Sequence, residues 1–449
     1  MRWPLLVVTS VLLTSPLAST LSGCDDDPAT QPPPGQPETP SGKGDSTRIS
    51  ANWKPRIDTM WLHIDVALRR GEASVWFEDD AAAKGSTVSL EAGGLVIDEV
   101  WDDDGPLPFE HRAGGLHIAH SPASGPVHID YRFDVEQQGE GFAKNGSTVI
   151  WPYYCGNLFP CRSKPDDGMT FELTVGGFGD GELAIYPEEL TADAPAYTLA
   201  FAVGKYTCQD LGKTDFGTKV SVCWLPRGKT KALAGARPLV KAFEWLEATY
   251  GPYRFGKHVA SVATNWGESA AGGMEHHPFW HIATGEMGDP VTHVHEAVHG
   301  WFGTGIRIAC WEDFVLSEGT TSYVTARALG AVTDPETEDA VWESYRETLE
   351  YTLEDEDIIA WPTGCNKVDI LRDGLFSNIV YMKGAFFWKE VAENVGADVL
   401  DAVFARFYEE RFGTPAHMQD LVDAVRTDTG FDTGPLVQRW LLSKGNPLE

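Results

Sequence analysis

The chain has 449 residues, which is longer than one hydrophobic core usually grows, so we expect two or three domains. It carries 35 Lys and Arg against 66 Asp and Glu, and the formal net charge of -31 repels phosphate backbones and argues against nucleic acid as a partner. Hydrophobic residues make up 42% of the chain and 16 residues are Trp, so we expect packed cores rather than a disordered chain.

The first residues have the features of an export signal. A basic residue at Arg2 precedes a mostly apolar run through Leu17, which is short for a membrane span. The run closes on Leu-Ser-Gly-Cys, which resembles the lipobox of bacterial lipoproteins and implies lipidation of Cys24. An ordinary signal peptide with a chance Cys is the alternative. We predict a signal peptide over residues 1–23 and a protein anchored through Cys24 to a membrane of the bacterial cell envelope.

Residues 24–48 are polar and rich in Pro and Asp, so they have little to bury and are predicted to form a tether. From residue 49 the chain alternates apolar and polar side chains in short runs, such as TMWLHIDVAL and PVHIDYRFDV, separated by Gly, Asp and Pro. This pattern predicts an N-terminal antiparallel β domain over residues 49–227.

The pattern becomes helical from residue 228. The segment RPLVKAFEWLEATYG places Leu239, Phe243 and Leu246 on one helical stripe, with Pro early and Gly just past the end. Similar stripes occur in KGAFFWKEVAENVG and MQDLVDAVRTDTG. We predict a mainly helical domain over residues 228–449, and a multidomain α+β fold for the whole chain.

The segment DPVTHVHEAVHGWFG contains a candidate metal motif. Asp289 and Pro290 form a cap and first-turn pair, so we expect the histidines that follow to lie on a helix. His295 and His299 are four residues apart and share a face, so both imidazoles can reach one metal ion, while Glu296 can reach a water bound to that ion. Taken alone, the motif also fits charged residues on a solvent-facing helix.

Glu318 is separated from His299 by 18 residues and completes a two-His, one-Glu set. Such a set leaves the fourth zinc position open for water, as in catalytic zinc sites. The sequence therefore predicts one Zn²⁺ per chain. His293 is expected to be a solvent-facing or supporting residue, and His276 and His277 are not counted as ligands.

The motifs GGMEH, HEAVHGWFG, LSEG and YMKGA occur in the order seen in the aminopeptidase N family of zinc peptidases, which are gluzincins with GxMEN-like and HExxH-x18-E motifs. The chain resembles that family over nearly all of its predicted mature length. The resemblance implies an N-terminal β domain followed by a thermolysin-like catalytic domain. Longer members continue into further domains for which this sequence has no residues, so a short form is expected.

The resemblance also implies roles for particular residues. In the family, the stretch that matches Gly272, Gly273 and Met274 lies along the substrate as an edge, and the Glu that matches Glu275 holds the free α-ammonium group. Glycines permit a close approach of backbone, and a carboxylate facing an ammonium in a desolvated pocket makes a strong hydrogen bond. Tyr381 matches the catalytic tyrosine, whose hydroxyl donates to the developing oxyanion.

Two positions depart from the family pattern. His276 stands where the family usually has Asn, which bears on how the main chain of the substrate is held. Arg162 stands where an acidic or amide residue is expected, which bears on the pocket for the first side chain. Neither departure touches the expected metal ligands or base.

These observations predict an exported, membrane-tethered zinc aminopeptidase that removes the N-terminal residue from peptides with a free N-terminus. Glu296 is the predicted general base, acting on a metal-activated water. A zinc endopeptidase or another amide hydrolase on the same scaffold is the alternative. A surface-binding protein with a vestigial site is the rival from another class; its signature would be a broken ligand or base, and none is broken.

Seven cysteines leave six after lipidation of Cys24, so three disulfides are expected in an exported protein. The sequence allows many pairings. Proximity favours Cys155–Cys161 and Cys208–Cys223, which leaves Cys310–Cys365.

Overall fold

The computed structural model describes residues 56–78, 87–120, 125–136, 140–267, 272–355 and 357–448. The predicted signal peptide and tether, with the lipidation site Cys24, lie outside these residues. Within them, we find no helix that combines the length and the apolar character needed to cross a membrane.

The first half of the described chain is built from strands. In chain order they are β1 (Ile57–Asp65), β2 (Arg70–Phe77), β3 (Val88–Glu91), β4 (Leu95–Asp102), β5 (Gly105–Pro106), β6 (Phe109–Arg112), β7 (Gly115–Ile118), β8 (Val127–Phe133), β9 (Val135–Glu136), β10 (Gly141–Ala143), β11 (Thr148–Val149), β12 (Gly168–Gly176), β13 (Leu183–Ile185), β14 (Glu189–Pro195) and β15 (Ala202–Gly204).

The largest sheet has the strand order β14-β12-β1-β2-β8-β4-β5. Alternation along β1 shows why it forms: Met60, Leu62 and Ile64 are buried in the core, whereas Trp61 and His63 are exposed on the other face. Neighbouring strands are antiparallel except β1 and β12, which pair in parallel. The long excursion of chain between these two strands makes the parallel return possible.

The second half mixes strands with helices. Its elements are β16 (Thr207–Lys213), β17 (Lys219–Trp224), α1 (Lys229–Gly235), α2 (Leu239–Tyr250), β18 (His258–Thr264), β19 (Gly273–Met274), β20 (Phe279–Ala283), α3 (Pro290–Val298), β21 (Arg307–Ile308), α4 (Phe314–Val332), α5 (Pro335–Asp355), α6 (Asn378–Val395), α7 (Ala397–Arg411), β22 (Pro415–Ala416), α8 (Met418–Thr429) and α9 (Gly434–Leu436). The predicted α+β architecture, with strands first and helices second, is confirmed.

A five-stranded sheet, in the order β16-β17-β18-β20-β19, crosses the boundary expected between residues 227 and 228. Strand β17 pairs in parallel with β18, so the β16–β17 hairpin belongs to the sheet of the second half. The expected boundary is wrong for this hairpin. An alternating pattern predicts a strand but does not say which sheet the strand joins.

Three disulfides join the predicted pairs, of which sequence proximity favoured two and left the third. Cys208 and Cys223 lie directly opposite each other in the β16–β17 hairpin. The other two bonds are Cys155–Cys161 and Cys310–Cys365.

Candidate active site

Helix α3 forms where the sequence predicts a helix. The Asp289 carboxylate accepts hydrogen bonds from the backbone N–H groups of Val291 and Thr292, each at 3.1 Å, and Pro290 occupies the first helical position. The helix ends at Val298, so His299 stands at its carboxyl end.

Three predicted ligand atoms form a compact triangle. The Nε2 atom of His295 lies 3.1 Å from Oε2 of Glu318 and 3.3 Å from Nε2 of His299, and the third side, from His299 Nε2 to Glu318 Oε2, is 3.4 Å. Ligands about 2.0 to 2.1 Å from a tetrahedral zinc ion are separated by about 3.3 Å. The donor set and its spacing therefore fit a zinc ion.

Supporting contacts orient the ligands toward this triangle. His299 Nδ1 lies 3.0 Å from the carbonyl oxygen of Phe302, which assigns a proton to Nδ1 and turns Nε2 toward the triangle. The Ser317 hydroxyl donates to Oε1 of Glu318 at 3.2 Å. Gly303 has a φ of 100°, and a Cβ there would lie 2.7 Å from His299 Nδ1. These contacts favour the ligand orientation that a metal needs.

Three buried carboxylates, those of Glu275, Glu296 and Glu318, lie around His299. Burial raises the pKa of Glu296 well above its usual value, and the two neighbouring carboxylates add to the rise. Burial opposes ionisation of both His299 and Glu318, but their mutual attraction outweighs it, raising the pKa of His299 to about 10 and lowering the pKa of Glu318 to about 2. This concentration of acid groups suits a divalent cation.

The stretch from Gly272 to Glu275 lies along one side of the cleft. Strand β19 is the end strand of the five-stranded sheet and pairs only with β20 there, through Gly273 with Ile282 and Met274 with His281. A Cβ at Gly273 would lie 2.7 Å from atoms of the Glu296 side chain. Glycine at 273 therefore lets the strand pass directly against the predicted base.

Glu275 follows this strand and is only 6% exposed. Burial is the main reason that its pKa is raised, while attraction to His299 and, to a smaller extent, the nearby Tyr197 hydroxyl oppose the rise. Its carboxylate, that of Glu296 and a ring nitrogen of His299 lie within 4.8 Å of one another. Glu275 thus lies beside the triangle of predicted ligand atoms but contributes none of the three atoms.

A close helix crossing brings Tyr381 to the site. Helices α4 and α6 meet at Gly319 and Gly384, where a Cβ on Gly384 would lie 2.5 Å from the Gly319 Cα. Tyr381 is nearly one turn before Gly384. Its ring stacks on the imidazole of His295 with centroids 5.9 Å apart. The small residues in SEG and KGA therefore set the distance between the tyrosine and the triangle.

The predicted metal ligands, the predicted substrate-binding residues and the predicted catalytic residues all line one cleft. Its lining residues are Trp151, Gly272, Gly273, Met274, Glu275, Val291, Thr292, His295, Glu296, His299, Glu318, Ser322, Tyr345, Phe376, Tyr381 and Met382.

Other histidines near the motif have structural contacts. His293 was expected to be solvent-facing or supporting, but it is fully buried between the hydroxyl of Ser261 at 2.8 Å and the carbonyl oxygen of Met287 at 3.0 Å. The solvent-facing expectation is wrong because α3 packs on several neighbours at once, so more than one of its faces is covered. Burial lowers the pKa of His293 to about 4.

The two departures from the family pattern have different settings. His276 is buried, and its Nδ1 lies 3.0 Å from Nδ1 of His281 on β20. Burial lowers the pKa of His276 well below its usual value. Arg162 donates to Asp167 at 2.8 Å and does not line the cleft. Of the two, only His276 adjoins the candidate substrate edge.

Sequence reasoning missed several residues of the site. Tyr197 comes from the predicted β domain and reaches Glu275 across 78 residues of sequence. Trp151 and Phe376 line the cleft with ring centroids 4.7 Å apart. No local pattern marks these residues, because their position depends on how the two halves pack.

Residues 288–440 match the Peptidase family M1 domain. The chain is 24% identical to probable aminopeptidase 1 of Sulfurisphaera tokodaii over 81% of this chain and 50% of that protein, and 25% identical to aminopeptidase M1 of Arabidopsis thaliana over 87% and 47%. It therefore spans about half the length of these curated relatives.

Solved structures show a similar fold. An M1 zinc metallopeptidase from Deinococcus radiodurans superimposes with a TM-score of 0.72 at 16% identity, covering 88% of this chain and 95% of that one. Yeast LTA4 hydrolase gives a TM-score of 0.70 at 16% identity, covering 88% and 69%. The domain match over residues 288–440, the relatives and the order of motifs all support the resemblance of this chain to the aminopeptidase N family of zinc peptidases.

Proposed function

We propose that the protein is a zinc-dependent aminopeptidase that removes the first residue from peptides with a free N-terminus. The observation that carries this proposal is Glu275, a buried carboxylate beside the ligand triangle but outside it. An endopeptidase has no need of a buried acid at the place where the substrate would otherwise continue. The relatives described as aminopeptidases support the same reading.

His295, His299 and Glu318 would hold the zinc ion. When bound, zinc supplies Lewis acidity, which polarises a carbonyl group and lowers the pKa of water. The remaining chemistry belongs to side chains of this chain.

Glu275 binds and positions the substrate. A carboxylate and the α-ammonium of a peptide form a charge-assisted hydrogen bond that strengthens in a desolvated cleft. The ammonium nitrogen and the first carbonyl carbon of a peptide are about 2.5 Å apart. Because the Glu275 carboxylate lies within 4.8 Å of His299 and Glu296 ligand atoms, an anchored ammonium leaves the first peptide bond beside the triangle.

Glu296 transfers a proton and Tyr381 donates a hydrogen bond in the proposed reaction. Glu296 is the proposed base: its carboxylate accepts a proton from the attacking water and delivers it to the leaving amine. The Tyr381 hydroxyl faces the same cleft and donates a hydrogen bond to the oxygen on which negative charge develops.

The test combines metal analysis with a pair of substrates. Purified protein should contain one zinc per chain and release free amino acids from an unblocked peptide, while the same peptide with an acetylated N-terminus should be a poor substrate. Equal cleavage of both peptides would favour the endopeptidase. Zinc-loaded protein without any peptide or amide hydrolysis would favour a binding protein.

We also propose that the protein is exported and lipid-anchored to the bacterial cell envelope. The support is the sequence of the first 24 residues. Fractionation of cells should place the protein with membranes and a Cys24→Ser variant elsewhere. Equal distribution of the two would contradict the anchor.

A further inference from the structure

A second cavity, of about 470 Å³, adjoins the candidate active site. Residues from α1 to α5 and the segments between them line it: Ala234, Arg237, Pro238, Lys241, Asp289, Pro290, Val291, Leu329, Val332, Thr333, Thr337, Ala340, Val341 and Ser344. Val291 lines both this cavity and the active-site cleft. We call this second cavity the α3 entry groove, because it surrounds the amino end of α3.

The α3 entry groove adjoins the part of the cleft that lies far from Glu275. Glu275 clusters with His299, at the carboxyl end of α3. Val291 and Thr292 line the same cleft at the amino end, about 12 Å away along the helix axis at 1.5 Å per residue. The lining of the cleft therefore extends from Glu275 past the ligand triangle to Val291, a residue that it shares with the α3 entry groove.

Two cations at the α3 entry groove have no partner in the described part of the chain. Arg237 and Lys241 are exposed, and neither side chain makes an ion pair or hydrogen bond with a described residue. Asp289 also lines the groove, but its carboxylate is occupied by the N–H groups and hydroxyl that cap α3. Two unpaired cations therefore stand together in a chain whose net charge is -31.

We propose that the α3 entry groove binds the downstream part of the peptide substrate and that Arg237 and Lys241 bind its C-terminal carboxylate. This inference rests on the proposed aminopeptidase function and adds a length and charge preference to it. The apolar walls, which include Leu329 and Val341, suit peptide side chains, and the two cations complement the one negative charge that every unmodified peptide carries at its end.

The distance between the ligand triangle and the α3 entry groove determines the preferred length of the peptide substrate. From Glu318 to Leu329 helix α4 advances 11 residues, which is about 16 Å. An extended peptide covers about 3.3 to 3.6 Å per residue, so about five residues span that distance. Peptides of roughly four to six residues can place a carboxylate in the groove while their first peptide bond lies at the ligand triangle.

The test compares a pentapeptide that has a free C-terminal carboxylate with the same pentapeptide amidated at that end. We expect the zinc-loaded enzyme to cleave the first residue from the free acid with a kcat/KM about three to ten times higher, as expected for contacts with exposed cations. In the Arg237→Gln/Lys241→Gln variant this ratio should fall to about one. Hydrolysis of an amino-acid amide, too short to reach the groove, should be unchanged.

A matched control removes two exposed lysines that do not line the groove. Lys213→Gln/Lys229→Gln makes the same change in net charge outside the groove and should keep the preference for the free acid. Equal cleavage of acid and amide by the unmodified enzyme, a preference that survives in the groove variant, or one that disappears in the control would each overturn the inference. Failure to hydrolyse even the amino-acid amide would instead overturn the proposed function on which it rests.

Discussion

Gly273→Ala tests whether close contact with strand β19, the predicted substrate-binding edge, holds the predicted base Glu296 in position. A Cβ at residue 273 would lie 2.7 Å from Cγ, Cδ and Oε1 of Glu296. Ordinary van der Waals contact begins at about 3.4 Å, so the carboxylate must move by about 0.7 Å, or strand β19 must retreat by the same distance. Glu296 is only 4% exposed, so its surroundings leave little room for this movement.

The displacement is large enough to impair proton transfer. Misplacement of a catalytic group by about 1 Å can reduce the rate on the order of 100-fold, so we expect a loss of about 30- to 100-fold in kcat. The zinc content should not change, because residue 273 is not one of the predicted ligands. Overpacking should also lower the free energy of unfolding, by roughly 1 to 3 kcal/mol.

The assay measures hydrolysis of an amino-acid amide with a fluorescent leaving group, beside zinc content and thermal denaturation. Gly288→Ala, where the nearest atoms to the new Cβ are 3.8 Å away, provides the control and should retain activity. Retention of more than about one third of kcat by Gly273→Ala would refute the reasoning, and so would loss of zinc from a folded variant.

Three further substitutions test the other parts of the site. Glu296→Gln should keep zinc but lose about 100- to 10,000-fold in turnover, and full activity with stoichiometric zinc would exclude Glu296 as the base. Tyr381→Phe should raise the barrier by roughly 2.7 to 4 kcal/mol if the hydroxyl is an oxyanion donor, and a loss below about threefold in kcat would make the residue structural. Gly384→Ala should separate α4 from α6, since its Cβ would lie 2.5 Å from the Gly319 Cα, and both the melting temperature and kcat should fall; an unchanged melting temperature would contradict this account of the crossing.

Local patterns predicted the elements that carry the site. Asp289 and Pro290 mark the start of α3, and helical spacing alone places His295 and His299 on one face, where the structure brings them together. Glu318 was added by spacing and family resemblance rather than by local pattern. A residue on another helix can be assigned to a site from sequence only where such a template exists.

The misses share one physical cause, which is packing between distant segments. Tyr197 reaches Glu275 from the other half of the chain, and nothing near residue 197 indicates this contact. The burial of His293 depends on the elements that pack around α3 rather than on the helix pattern. Likewise, the β16–β17 hairpin has the alternation of a strand pair, while its partner, β18, was fixed only by the tertiary fold.

Contacts between separate segments also determine the surroundings of His276 and Arg162, the two departures from the family pattern. His276 contacts His281 on the neighbouring strand, so its burial and pairing follow from the register of β19 on β20. Arg162 was expected to affect the pocket for the first side chain, yet its partner is Asp167. Side-chain identity predicted a change at both positions, and only the structure shows what each side chain contacts.

The most direct test of the central claim is the effect of Glu275→Ala on a free and an N-acetylated peptide. Loss of a buried carboxylate that pairs with the ammonium should cost roughly 2 to 5 kcal/mol, or about thirtyfold to several thousandfold in kcat/KM, on the free peptide. The acetylated peptide has no ammonium, so its slow cleavage should change little and the gap between the two should narrow. Zinc content should be unchanged. A loss of the same size on both peptides, or an undiminished preference for the free one, would contradict the assignment of Glu275 as the residue that recognises a free N-terminus.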